Sequence, residues 1–281
     1  MLRKLLKKAA EIRRFEDSRA LFWSPYYPSN FGELVGPFLY EKLTGVEPWH
    51  RSPNDLSSSS VYMTVGSILG LCASNAIVWG SGVLSRQTRF PDPWRVLAVR
   101  GPLTREIFSR QGYECPEVFG DPAVLLPLVY PCSTSAPRYD VGVIPHFHDH
   151  DAVSSQSVND GGALFIDVRY PIEHVVAQIC SCRRIVSSSL HGIIVAHAYG
   201  VPARWVRWRH DSGDGIKYLD YFQSVQDSTS SPVQLDPAKT SSLDYLEDVA
   251  DAGTLPDHSG IRRMLVESCP FKLPAGRTLL P

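Results

Sequence analysis

The sequence has no C-x-x-C pair, no sustained apolar run of membrane-spanning length and no excess of charge of either sign, and each lack removes a class of function. Six cysteines are scattered as Cys72, Cys115, Cys132, Cys180, Cys182 and Cys269. Cys180 and Cys182 stand one residue too near each other for a zinc-ribbon or thioredoxin-like motif. Dispersed thiols of this kind suit a reducing cytoplasm better than a disulfide-stapled secreted domain. A net charge of −1 over 281 residues supplies no electrostatic attraction for nucleic acid. Residues 56–85 carry no charge, but serines, Asn75 and four glycines interrupt them, so they lack the run of ~20 apolar residues that a span requires. They read instead as two buried strands, at 61–65 and 76–79, joined by a glycine-rich connection. His146, His148 and His150 alternate on one loop, a spacing that does not make a zinc site, and nothing else in the sequence calls for a metal or a cofactor.

What is present begins with a basic amphipathic segment. In residues 1–19, Leu2, Leu5, Leu6, Ala9, Ile12 and Phe15 recur at three- and four-residue steps, and seven basic residues outnumber three acidic ones. The pattern predicts a helix able to lie on an anionic membrane surface, at roughly 1 kcal/mol per basic residue. A terminal helix docked on the body with a solvated basic face would show the same pattern. The apolar core and small-residue cleavage site of a secretory signal are missing.

From residue 20 short β-branched runs alternate with amphipathic helices, the pattern of an α/β protein with parallel sheets. A strand at 20–23, a loop holding Asn30-Phe31-Gly32-Glu33 and a helix at 38–43 make the first unit. The strand at 77–79 runs into Gly80-Ser81-Gly82, where a backbone without Cβ atoms can approach a ligand closely. The strand at 96–99 leaves Arg100 at its end and Arg105 on the next helix. Arginines so placed grip phosphate or carboxylate bidentately, or cap helix ends. Asp121, before Pro122, orients a sugar hydroxyl or a catalytic group, or it N-caps a helix at 122–128. Residues 131–137, rich in proline and serine, read as a linker between a domain at 20–130 and a second at 138–256, with a helix and tail at 257–281.

The most informative stretch lies in the second half. A strand at 185–189 turns through Ser187, Ser188 and Ser189 into an apolar helix at 190–199 that carries His191 and stops at Gly200-Val201-Pro202. Free N–H groups at such a helix start favour an anion, so the serines and His191 form a candidate anion site; a serine N-cap beside a core histidine would read identically. Farther on, Lys217 and Asp220 sit among aromatics on one helix, a suitable lining for a sugar or a phosphate. Residues 228–248 read as surface, and 262–266 as a terminal helix packed by Phe271.

Taken in order, these stretches resemble the polysaccharide pyruvyl transferase family. The matching pieces are N-F-G-E followed by Gly36-Pro37, then Arg100-Gly101-Pro102-x-Thr104, Gly120-Asp121-Pro122-Ala123 and Ile144-Pro145-His146. The Ser187-x-x-Leu190-His191 turn with its Gly200-x-Pro202 stop follows, and last Lys217-x-x-Asp220-Tyr221-Phe222. Two positions depart: Glu33 stands where the family has aspartate, and Ser189 where it has arginine. The resemblance implies two Rossmann-like α/β domains facing a cleft, similar to GT-B glycosyltransferases. The activity it implies is transfer of pyruvate from phosphoenolpyruvate onto two hydroxyls of a sugar in a lipid-linked exopolysaccharide repeat unit, giving a cyclic ketal and phosphate. Phosphoenolpyruvate is then a donor substrate and no cofactor is needed. A lipid-linked oligosaccharide acceptor places the protein in the cytoplasm, held peripherally at the cytoplasmic face of the inner membrane by its N-terminal helix. In this scheme His191 and His146 are acid and base in either order, with Asp121 beside them. Arg100, Arg105, Lys217 and the turn of Ser187, Ser188 and Ser189 hold the anion, and Asn30, Glu33, Gly80, Ser81, Gly82 and Asp220 are further substrate contacts. The same cleft would serve a nucleotide-sugar-dependent glycosyltransferase, and the loss of the arginine at Ser189 would suit a non-catalytic carbohydrate-binding protein.

Overall fold

The computed structural model of the chain describes residues 19–25, 30–53, 60–132, 136–154, 162–208, 214–236, 239–274, 276 and 278–279. The amphipathic helix expected over 1–19 lies outside them, apart from Arg19. Strands β1 (Ala20–Phe22), β2 (Trp49–His50), β3 (Val61–Met63), β4 (Ala76–Trp79) and β5 (Arg95–Ala98) form one sheet in the order β2-β1-β3-β4-β5. Strands β6 (Tyr139–Ile144), β7 (Ala163–Phe165), β8 (Cys182–Ser187), β9 (Ala203–Arg207) and β10 (Val233–Gln234) form another, in the order β10-β9-β8-β6-β7. Every neighbouring pair in both is parallel. The helices are α1 (Phe31–Thr44), α2 (Pro102–Arg110), α3 (Leu126–Val129), α4 (His150–Ser154), α5 (Ile172–Cys180), α6 (Leu190–Ala198), α7 (Ile216–Ser224), α8 (Leu243–Asp251) and α9 (Ser259–Glu267).

Counted from its own first strand, the second sheet repeats the order of the first. In each, the chain steps from a central strand to one edge, crosses back and then winds to the other edge. The reversal falls between β1 and β3 in one sheet and between β6 and β8 in the other. Open parallel sheets bind ligands beyond the carboxyl ends of strands at such a reversal.

Parallel strands are covered on both faces, and the alternation of side chains shows it. Leu21, Tyr62, Ile77 and Trp79 belong to a core cluster that continues into Ile144, Ile185 and the apolar residues of α5, α6 and α7. Their neighbours Ala20, Phe22, Val61, Met63, Ala76 and Val78 point to the opposite face. Helix α1 starts at Phe31, ahead of the predicted 38, because the side chain of Asn30 accepts the Gly32 N–H at 3.2 Å and Pro37 is accommodated inside the helix. The edge strands β2 and β10, two residues each, are too short to carry a readable period. Helix α8 falls in the stretch read as surface, where Ser242 caps it by accepting the Tyr245 N–H at 3.4 Å. The terminal helix α9 packs against the first sheet. Trp79 Nε1 donates to the Leu265 carbonyl at 3.2 Å, and the Phe271 ring lies 4.8, 5.1 and 5.3 Å from those of Tyr40, Tyr62 and Trp79.

A buried ion pair joins the first-sheet half to α7. Arg100, fully buried at the end of β5, donates from Nε to Asp220 Oδ2 at 3.2 Å, and from its terminal nitrogens to Ser67 Oγ at 2.6 Å and the Val83 carbonyl at 2.8 Å. Asp220 also accepts the Thr104 N–H at 2.9 Å and its hydroxyl at 2.6 Å. A Cβ on Gly101 would lie 2.0 Å from the Asp220 carbonyl oxygen, so only glycine lets α2 and α7 meet. Removing one partner of a buried pair strands a charge, which costs about 3–5 kcal/mol. Asp220→Ala should lower stability by about that amount in chemical denaturation, and Arg100→Met with Asp220→Leu should recover part of the loss.

Candidate functional site

The two winding reversals open onto one cavity of about 510 Å³. Each is represented in its wall. Ser24, Asn30 and Glu33 follow β1, Ser67 and Ile68 follow β3, His146, Phe147 and His148 follow β6, and Ser189, Leu190 and His191 follow β8, while Lys217 comes from the start of α7. Motifs far apart in sequence therefore converge because of topology. The first turns of α1, α6 and α7 all reach the wall, and helix starts favour negative charge. Lys217 is the single lysine or arginine among the described lining residues. The exposed side chains of Leu71 and Leu84 stand among the lining.

His191 is fixed on two sides. A Cβ at Gly32 would sit 2.4 Å from its Nδ1, so the start of α1 packs on the imidazole only because residue 32 is glycine. Its Nε2 lies 3.6 Å from Asp121 Oδ2, and both atoms are sealed from solvent with no hydrogen-bond partner among the described residues. The other oxygen of Asp121 accepts the Ala123 N–H at 3.0 Å. Asp121 thus caps the turn that begins at Pro122, one of the readings its sequence context left open, and its second oxygen lies beside the His191 imidazole.

Glu33 Oε2 is a third sealed atom without a partner. Burial raises the carboxyl pKa above its usual range, and the raising outweighs the opposing field of His191, the Ser24 N–H and the field of Lys217. His146 is shifted the other way. Burial first, then Lys217 and His148, hold its pKa at about 3, so the ring is neutral near pH 7. Its backbone N–H donates to Ser188 Oγ at 2.8 Å, and its Nδ1 receives the His148 N–H at 3.4 Å. His150 turns from the alternating trio toward Asp151 and Asp167, at 2.9 and 3.0 Å.

The serine turn is mostly scaffold. Ser187 Oγ donates to the carbonyls of Ile144 and Ser189 at 2.9 and 3.0 Å and receives the Ser189 N–H at 2.9 Å. The Ser188 carbonyl accepts the Tyr218 hydroxyl at 2.6 Å. Only Ser189 of the three lines the cavity, capping α6 by accepting the Gly192 N–H at 3.4 Å.

Nine of the expected residues are not brought to this wall: Asp121, Ser187 and Ser188, whose contacts are given above, and six more. Arg100 and Asp220 are consumed by each other, and Arg105 reaches the Cys115 carbonyl at 3.2 Å and Glu117 at 2.9 Å on the surface. Gly80, Ser81 and Gly82 make room for the chain itself. A Cβ on Gly80 would meet the Pro122 ring at 2.2 Å and one on Gly82 the Arg100 guanidinium at 2.3 Å, while Ser81 Oγ donates to the Thr64 carbonyl at 2.7 Å. Conversely, Ser24, Ser67 and Phe147 line the cavity without having been singled out. Ser24 and Ser67 sit in loops with no motif, where the one signal is position just beyond a strand at a winding reversal, and Phe147 lies between His146 and His148, which drew the attention.

Two more imidazoles are buried away from the cavity. His197 Nδ1 and His258 Nε2 lie 2.9 and 3.0 Å from the Tyr221 hydroxyl, and burial holds each pKa at about 4. With His146 at about 3, the folded chain keeps three imidazoles neutral that in the unfolded chain take up protons near pH 6.5. The unfolded state therefore binds more protons across that window, and stability falls as pH drops. The denaturation midpoint should decline steadily from about pH 6.5 to pH 4; a flat profile would contradict the burial of these rings.

Comparison with known proteins places this site in context. Residues 71–210 match the profile of the polysaccharide pyruvyl transferase family. The chain is 30% identical over 200 residues to the uncharacterized protein L143 of Acanthamoeba polyphaga mimivirus, across 68% of this chain and 69% of that one. It is 28% identical over 214 residues to the succinoglycan biosynthesis protein ExoV of Rhizobium meliloti (strain 1021), across 72% of this chain and 64% of ExoV.

Proposed function

The chain belongs to the polysaccharide pyruvyl transferase family, and from that membership and the cavity we propose that it transfers pyruvate from phosphoenolpyruvate to two hydroxyls of a sugar. The likeness to a succinoglycan biosynthesis protein favours an exopolysaccharide repeat unit on a lipid carrier as the acceptor. The two sheets then act as a GT-B-like pair of Rossmann-like domains with donor and acceptor between them.

One observation carries the reading: Glu33, His146, His191 and Lys217, each from a different family-like motif, line a single cavity. An enol phosphate needs positive charge for its phosphate, an acid for C3 and a base for the attacking hydroxyl. Lys217 and three helix starts supply the first, and charge-assisted hydrogen bonds of about 1.5–3 kcal/mol each make a few such ligands sufficient. They offset the arginine missing at Ser189. Neutral His146 is fit to accept the hydroxyl proton, and a bound trianion beside Lys217 weakens the repulsion that depresses its pKa. His191, backed by Asp121, is the second imidazole, at the first turn of α6 where the phosphate docks.

The test is phosphate release from phosphoenolpyruvate with a membrane extract containing lipid-linked oligosaccharide, with mass spectrometry of the acceptor. The expected product is heavier by one pyruvate less one water, and His191→Ala should lower turnover about 10²–10⁴-fold. Turnover with a nucleotide sugar and silence with phosphoenolpyruvate would replace the reading with glycosyl transfer. Sugar affinity that His191→Ala leaves intact, in a protein without turnover, would mark a binding module.

For the basic segment at 1–19 we propose the role of a peripheral anchor on an anionic inner-membrane surface. No helix among the described residues is long and apolar enough to cross a membrane, so attachment by this surface device is the arrangement in view. Deleting residues 1–14 should reduce membrane recovery, and should reduce activity on lipid-linked acceptor more than on a soluble sugar. Equal loss on both acceptors would remove the anchoring role.

A further inference from the structure

We propose that Glu33 is the acid that protonates C3 of the enol phosphate. This rests on the pyruvyl-transfer reading and assigns to Glu33, expected as a substrate contact, a step expected of one or other of the two histidines.

Protonating carbon requires a group that still holds its proton at neutral pH and sits where water cannot compete. Among the described lining residues the choice is narrow. His146 is neutral near pH 7 with its pKa at about 3, so it has no cationic proton to give. His148 is exposed. Lys217 is the charge that the phosphate requires. His191 Nε2 faces Asp121, and its Nδ1 edge is covered by Gly32. Glu33 remains.

Its placement is specific. Glu33 is the third residue of α1, where a glutamate ordinarily reaches back to the capping residue's N–H. Here the carboxyl instead accepts the backbone N–H of Ser24, its partner on the β1 side of the cavity. That bond leaves Oε2 sealed and without a partner. Gly66, at φ +112, covers the same oxygen, since a Cβ there would stand 3.3 Å from it. An ionised carboxylate oxygen so enclosed would be left uncompensated at substantial cost, so the enclosure favours the carboxylic acid, and Glu33 itself stands in the cavity wall. A helix start favours the ionised form, yet burial is the dominant influence on this group and raises its pKa.

The step balances. The Glu33 O–H bond breaks, its proton and the C2=C3 π pair form the C3–H bond, and C2 becomes electron-deficient. A sugar hydroxyl oxygen bonds to C2, its proton passing to His146. The C2–O bond to phosphate breaks, the second hydroxyl takes its place, and Glu33 is reprotonated. Of the two hydroxyl protons, one is thus accounted for by the new methyl group and the other leaves with hydrogenphosphate. The carboxylate formed midway faces the cationic carbon it has just created and stabilises it.

Two measurements on the full chain test this. Infrared difference spectroscopy of Glu33→Gln against wild type at pH 7 should show loss of a protonated-carboxyl band; absence of that band in the wild type would overturn the proposal. In the phosphoenolpyruvate assay, Glu33→Gln should lose about 10²–10⁴-fold in kcat with KM for phosphoenolpyruvate little changed, and Glu33→Asp should recover part of the rate. The wild-type rate should fall on the alkaline side as Glu33 ionises, and Glu33→Gln should lack that limb. Wild-type turnover with an unimpaired Glu33→Gln variant would overturn the proposal and leave pyruvyl transfer standing. No phosphate from phosphoenolpyruvate in the wild type would overturn the reading itself, and the proposal with it.

Discussion

The contact between Arg100 and Asp220 is the constraint around which the rest of the molecule is arranged. A guanidinium with no solvent exposure must have its donors met, and the chain meets them from three separate segments: Asp220 on α7, Ser67 after β3 and the Val83 carbonyl after β4. Meeting them dictates glycine at 82, where a Cβ would collide with the guanidinium, and at 101, where α2 meets α7. It also accounts for Thr104, whose hydroxyl and N–H both go to Asp220. A buried pair of this kind is weak support for stability, because desolvation offsets most of the attraction. What it does supply is registration, since three segments must be correctly placed before the charges are satisfied. Lys217 is one helical turn ahead of Asp220 on α7, on the same side, so the pair that fixes Asp220 also fixes where Lys217 enters the cavity.

That arrangement explains how far the sequence could be read. Strand β4 is found at its predicted bounds, Ala76–Trp79, because its apolar run is uninterrupted and bounded by turn residues. His146, His191 and Lys217 were legible as site residues because each stands just after a strand or at a helix start. Arg100 and Asp220 carry the same local signature, an ionisable residue at an element end, yet they turn to each other. Nothing within either motif distinguishes a charge aimed at a ligand from one aimed at a partner 120 positions away. The glycines at 80 and 82 pose the same ambiguity: close approach was correctly implied, but what approaches is the chain's own Pro122 and Arg100. Ser24 and Ser67 were invisible because their place in the cavity follows from strand order, and strand order is set by long-range pairing that no window of sequence contains.

The repeated strand order gives the site its economy. Each sheet presents one winding reversal, and each reversal contributes two loops. The first-sheet loops bring a carboxyl, Glu33, and the second-sheet loops bring the imidazoles, His146 and His191. That Glu33, His146 and His191 share one cavity is therefore a property of how the two sheets meet, and the core cluster that runs from Leu21 and Trp79 into Ile144 and Ile185 holds that meeting in place.

Electrostatics in the cavity then follow from burial. Low polarisability penalises every charged form, so the carboxyl of Glu33 is pushed up and the imidazole of His146 down, and both tend toward neutrality. Lys217 acts against the first shift and with the second. An anionic substrate that pairs with Lys217 cancels both influences together: the carboxyl holds its proton more tightly and the imidazole becomes a better base. On the proposed reading, binding the donor moves both groups in the direction the reaction needs. In the proposed reaction charge separation is postponed until C3 accepts its proton, when the new carboxylate faces an electron-deficient carbon.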